Sequence, residues 1–136
     1  MTTNILVAGR STANVRSLKD AVDRLDYQVI PAPSMSLALF LARKNLPELI
    51  VCDMEMVDGD PHQFLSELQA DDELRQIPFM VLCDIQVSSD ERKQFMSAGA
   101  ALVLANDESA DLLGTIEPYI AARLAIKAQR PEETPE

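Results

Sequence analysis

The chain has no tryptophan, one histidine, two cysteines and four glycines among its 136 residues. Four Phe and two Tyr are its only other large aromatic rings. So few rings leave little to stack on a flavin or on nucleobases. Two cysteines do not make a disulfide framework. Cys52 and Cys83 both lie inside apolar runs, which predicts buried thiols in a reducing, cytoplasmic setting. No apolar run approaches the roughly 20 residues that span a bilayer, so no membrane segment is expected. Met1-Thr2-Thr3-Asn4 carries no charge leading into an apolar stretch, so no signal peptide is expected either. Cations are scarce as well: 12 Lys and Arg stand against 22 Asp and Glu, a net charge of −10. Phosphate backbones demand clustered cations, so direct nucleic-acid binding is disfavoured.

What remains is a globular balance, 47% hydrophobic and 25% charged, in a length that suits one domain. Five short apolar runs alternate with five helix-like stretches. Strands are expected over residues 5–8, 27–31, 48–53, 78–83 and 101–105. Four of these are nearly continuous in apolar residues, as strands buried on both faces are. Tyr27-Gln28-Val29-Ile30-Pro31 is mixed and ends in proline, which suits an edge strand. Helices are expected over residues 15–25, 35–45, 61–70, 89–98 and about 109–129. Pro61 suits a first helical turn, and Gly99 marks a helix stop. Pro118 is expected to kink or restart the last helix. Strict alternation with short links predicts an α/β fold, a three-layer α/β/α sandwich. With five strands, the natural parallel sheet is flavodoxin-like, in the order 2-1-3-4-5. Residues 1–128 make the domain. Residues 129–136, with two prolines and three glutamates, read as a disordered acidic tail or linker.

This layout gathers strand ends around one crevice, where open α/β sheets carry their chemistry. Ala8-Gly9-Arg10 follows the first strand and Asp53 ends the third. Cys83-Asp84 follows the fourth and Asn106-Asp107 the fifth. Several stretches carry a family pattern in order: Asn4-Ile5-Leu6-Val7-Ala8, then Pro47-Glu48-Leu49-Ile50-Val51-Cys52-Asp53-Met54-Glu55-Met56. Ile77-Pro78-Phe79-Met80-Val81-Leu82 and Ala98-Gly99-Ala100-Ala101 continue it. From about residue 4 to 125, the chain resembles the receiver domain of bacterial two-component response regulators.

The resemblance implies that Asp53 stands at the position a histidine kinase phosphorylates. It also implies an acidic pair that helps hold Mg²⁺, a Thr or Ser that bonds the phosphoryl group, and a Lys that pairs with it. A carboxylate attacking a phosphoryl group brings negative charges together, and those cations neutralise them. Here Gly9 and Arg10 stand for the acidic pair, Cys83 for the hydroxyl, and Asn106 for the lysine. Asp84 adds bulk and charge, Asp107 replaces a proline, and Val103 takes the aromatic switch position. Val57 stands where a Met-Pro pair would end, and Asp58-Gly59 follows. The pocket expected around Asp53 is therefore Gly9, Arg10, Glu55, Cys83, Asp84 and Asn106. No metal is expected; Asp53 and Glu55 are the candidates if one binds. A sharper expectation is that the Arg10 guanidinium fills the vacated metal position and pairs with Asp53.

The reading is a non-enzymatic response-regulator module in phosphorelay signalling, atypical at its site and acting through protein contacts. A rival reading keeps Asp53 as a working phosphoacceptor with Mg²⁺ and a histidine kinase. A third treats Gly9-Arg10-Ser11-Thr12-Ala13-Asn14 as an anion or flavin loop at a helix N-terminus. Against it, no second glycine lets the backbone wrap a phosphate, and Ser11 or Thr12 is better read as a helix cap. His62 reads as a surface residue at a helix start. Cys52 is expected to point away from Asp53, with no Cys52–Cys83 bridge. An interaction surface, for an output domain or a homodimer, is expected on the face of the fourth helix, fifth strand and last helix. It would comprise Val103, Leu112, Ile116, Ile120 and Leu124.

Overall fold

A computed structural model describes residues 3–22, 27–83, 87–105 and 112–128. Its strands are β1 (Thr3–Ala8), β2 (Tyr27–Ala32), β3 (Leu49–Cys52), β4 (Phe79–Cys83) and β5 (Leu102–Ala105). Its helices are α1 (Thr12–Ala21), α2 (Met35–Asn45), α3 (Pro61–Gln69), α4 (Ser89–Ala98) and α5 (Leu112–Ala128). The five strands pair in parallel in the order β2-β1-β3-β4-β5. β3 and β4 are buried at every position, as their unbroken apolar runs require. The mixed β2 is the edge strand that its Pro31 suggested.

Two cores flank the sheet. Leu6, Ile50, Phe64, Phe79 and Phe95 belong to the one under α2, α3 and α4. Ile5, Val7, Leu18, Val51, Ile116 and Ile120 belong to the one under α1 and α5. Strand alternation deals successive residues to opposite cores, which is why one strand feeds both. Helix ends follow local chemistry. Ser34, Asp60 and Ser88 cap α2, α3 and α4 by accepting the N–H of Leu37, Gln63 and Glu91. Gly99, at φ 119°, closes α4 in the left-handed region.

The expectation that Pro118 restarts the last helix needs correcting. α5 runs unbroken through Pro118. Pro118 and Gly114, the residue four earlier, both lie on the exposed side, where water can serve the carbonyl that a proline cannot. The link between α3 and β4 also contains a 3₁₀ turn, Leu74–Gln76, that periodicity did not reveal. Asp71 nucleates it by accepting the N–H groups of Glu73 and Leu74.

The base of the sheet is closed by a buried ion pair. Glu48, 6% exposed, accepts the Asn4 N–H at 2.7 Å and an N–H of the Lys127 ammonium. Lys127 also donates to the Leu46 carbonyl at 2.9 Å. The end of α5 therefore lies on its own domain.

Candidate functional site

Asp53 follows β3 directly, and its N–H donates to the Ala8 carbonyl at 2.8 Å, extending the ladder one step past the strands. The Gly9 N–H reaches the Ala32 carbonyl and the Arg10 N–H the Glu55 carbonyl, each at 2.9 Å. Backbone bonds thus sew the loops after β1, β2 and β3 together. Asp53 is only 7% exposed, and its carboxylate accepts the Met54 N–H at 2.7 Å. A cleft of about 540 Å³ opens beside it, lined by Arg10, Ser11, Thr12, Ala13, Met54 and Glu55.

Gly9 shapes this site more than any charged group. Its φ is 123°, in the region that favours glycine. A Cβ there would stand 2.3 Å from the Asp53 Cβ and 3.0 Å from the Glu55 carbonyl oxygen. Carbon atoms pack at about 3.5–4.0 Å, so no side chain fits. Where the resemblance implies an acidic residue, this chain has closed its backbone onto Asp53.

Arg10 lines the cleft but is exposed, and among the described residues it forms no ion pair with Asp53. The Arg10–Asp53 pair is thus a sequence expectation that the geometry does not realise. An exposed guanidinium keeps its hydration, which it would lose beside so buried a carboxylate. Glu55 is exposed, and its carbonyl already accepts the Arg10 N–H. Among the described residues no three of His, Cys, Asp or Glu come together as a cation site. Asp84, Asn106 and Asp107 lie outside the described residues, as does the tail 129–136.

Cys83 ends β4 fully buried, and both cysteines are thiols outside any disulfide, in the core under α2, α3 and α4. The Cys52 thiol donates to the Asp53 carbonyl at 3.2 Å. Burial first, then the Asp53 carboxylate, pushes the Cys52 thiol well above its ordinary pKa. It stays protonated and is a poor nucleophile.

Asp58 has a role that sequence reasoning did not anticipate. It accepts the N–H groups of Met35 at 2.5 Å and Ser36 at 3.2 Å, and the Ser36 hydroxyl. The Val57 N–H meets the Pro33 carbonyl at 3.2 Å. Gly59 packs so tightly on Met35 that a Cβ would stand 2.8 Å from its Sδ. The loop leaving Asp53 is thus fastened to the first turn of α2. Asp58-Gly59 is visible in sequence as a turn signal, but its partner lies 22 residues back.

The expected interaction surface also needs correcting. Val103 is 1% exposed, Leu112 6%, Ile116 0% and Ile120 1%. They fill this domain's own cores, because the α5 stripe packs onto the sheet rather than past it. Leu124 alone of that set is exposed. His62 lies at the surface, stacked on Phe95 with ring centroids 4.0 Å apart and 3.6 Å from a Glu91 carboxylate oxygen.

Likeness to known proteins agrees with this layout. The polar-differentiation response regulator DivK of Brucella ovis is 25% identical over 126 residues, which is 93% of this chain and 89% of that protein. Chemotaxis response regulator CheY4 of Vibrio cholerae superposes with a TM-score of 0.76 at 18% identity, covering 88% of this chain and 99% of that one. The receiver domain of the Francisella response regulator 1452 gives a TM-score of 0.76 at 21% identity, over 88% and 98%. By fold and by sequence likeness, the chain is similar to response-regulator receiver domains. No family model matches it. Receiver domains are two-component signalling modules that interact with kinases and partner domains. Among the described residues, no helix is long and apolar enough to cross a membrane.

Proposed function

We propose that this receiver domain signals by protein–protein contact from one standing loop arrangement, without Mg²⁺-assisted phosphorylation of Asp53. The observation that carries this reading is the close approach of Gly9 to Asp53, which leaves no room for a carboxylate at the first metal position. The second position holds a cation, Arg10, which repels Mg²⁺. A metal that demands oxygen ligands in octahedral array therefore has Asp53 and the Glu55 carbonyl, and little else among the described residues. The donor set does not fit it. Without a divalent cation, a carboxylate attacking a phosphoryl group faces uncompensated negative charge. In this reading the module is not an enzyme, needs no cofactor and works in the cytoplasm beside a kinase or output domain.

The test is incubation with acetyl phosphate or phosphoramidate and Mg²⁺, followed by intact-mass measurement. No phosphoryl adduct is expected. A stable adduct that disappears in Asp53→Asn would overturn the proposal and make Asp53 a working phosphoacceptor.

A further inference from the structure

α2 differs in charge from every other described α-helix. α1 carries Asp20, α3 Glu67, α4 Asp90 and Glu91, and α5 Glu117, whereas α2 has no acidic residue. This occurs in a chain with 22 acidic and 12 basic residues. Met35, Ala38 and Ala42 turn one side of α2 into the core. The other side presents Leu37, 40% exposed, and Phe40, 57% exposed, at a helical step. It ends in exposed Arg43 and Lys44, with the Lys44 ammonium 5.8 Å above the Phe40 ring. Beside the first turn, the loop fastened by Asp58 holds Val57, 64% exposed. Scattered exposed apolar residues need no explanation. Three along one helix and its pinned loop, ending in cations, make a patch.

We propose that the outer face of α2, with Val57, docks an acidic amphipathic helix of a partner protein. The partner's apolar side covers Leu37 and Phe40, and its carboxylates reach Arg43 and Lys44. The spacing of Leu37, Phe40 and Lys44 matches one face of a packed helix. Phe40 is the anchor, a large exposed ring with the Lys44 ammonium over its face. Charge complementarity selects the partner's sign. A domain of net charge −10 repels acidic surfaces in general and attracts them at this cationic helix end. The same net charge repels an anionic bilayer. This inference stands independently of whether Asp53 is phosphorylated.

The experiment uses the full chain and a synthetic helical peptide of about sixteen residues, long enough to form helix. The peptide carries Leu on one face and Glu along its flanks; a control carries Lys in place of Glu. Binding is followed by calorimetry and by amide chemical shifts. The acidic peptide is expected to bind, with the largest shifts over residues 36–44 and at Val57. Phe40→Ser should weaken it about tenfold or more, a hot-spot loss. Arg43→Glu with Lys44→Glu should abolish it. Unchanged urea midpoints would show that these surface variants stay folded. Equal binding of the Lys peptide, shifts on another face, or indifference to the variants would overturn the proposal. Binding to phosphatidylglycerol vesicles that the charge reversal abolishes would overturn it in favour of lipid. Self-association in sedimentation that Phe40→Ser abolishes would overturn it in favour of a second copy.

Discussion

Two buried carboxylates bracket the same four-residue strand, and different parts of the chain come to meet them. Glu48 precedes β3 and is 6% exposed; Asp53 follows it and is 7% exposed. Glu48 accepts the Asn4 N–H and the ammonium of Lys127, 79 residues away. Asp53 accepts the N–H of its own neighbour Met54, and Gly9 packs against its Cβ. A carboxylate taken out of water needs donors close by. At the base, a long-range cation fixes the last helix in place. At the top, backbone closure and a fastened loop shape a cleft. The strand supplies equal burial at both ends; the residues that come to meet each end decide whether it is a joint or a site.

The contrast is broken most severely from the base. Lys127→Met leaves Glu48 buried without its cation. Removing one partner of a fully buried pair costs about 3–5 kcal/mol. The Lys127 side chain is 29% exposed, so a loss of about 2–3 kcal/mol is expected here. The urea midpoint measures it, and amide exchange over the last turn of α5 should rise with it. A loss under about 0.5 kcal/mol, the scale of an ordinary surface change, would make the base no more than a surface contact.

That pair also marks how far the sequence could be read. Strands, helices and sheet order were legible because they rest on local patterns: unbroken apolar runs at Leu49–Cys52 and Phe79–Cys83, a first-turn Pro61 and a helix-stopping Gly99. Asp53 was legible as the residue that ends the third apolar run for the same reason. Glu48 looked like an ordinary polar residue at a strand start, since nothing local marks Lys127 as its partner. Gly9 was legible as a glycine just after the first strand, but not as a position where no Cβ fits, because that depends on the approach of two loops. The α5 stripe was read correctly as apolar and wrongly as a surface. Periodicity reports that a face is buried, not what buries it.

The top of the contrast is sharpened by Gly9→Ala. The added Cβ meets the Asp53 Cβ, and alanine must hold a φ of 123°. Overpacking and backbone strain of this kind cost about 1–3 kcal/mol, so a loss near 2 kcal/mol is expected. Asp53→Gly removes the atom that the new methyl strikes. The double variant should therefore lose less than the sum of the two singles, by more than the usual additivity error of about 0.5 kcal/mol. Strict additivity would mean that the strain is conformational alone and that Gly9 does not press on Asp53.

The smallest effect is the most specific, and it concerns the loop that leaves Asp53. The Ser36 hydroxyl first, then the Met35 and Ser36 amides, hold the Asp58 carboxyl below the usual carboxylate value. A group whose pKa is depressed by folding stabilises the fold above its unfolded value, about 3.9, and stops doing so as pH falls through its folded value. The fastening of the loop to α2 should thus be constant at neutral pH and fade only in acid, below roughly pH 4. Amide exchange at Met35, Ser36 and Val57 reports it directly. Asp58→Asn cannot ionise, so in that variant protection at those amides should be weaker at neutral pH and lack the acid step. If the step survives in Asp58→Asn, another carboxylate holds the loop. The fastening at the top of the sheet would then rest on a residue other than Asp58.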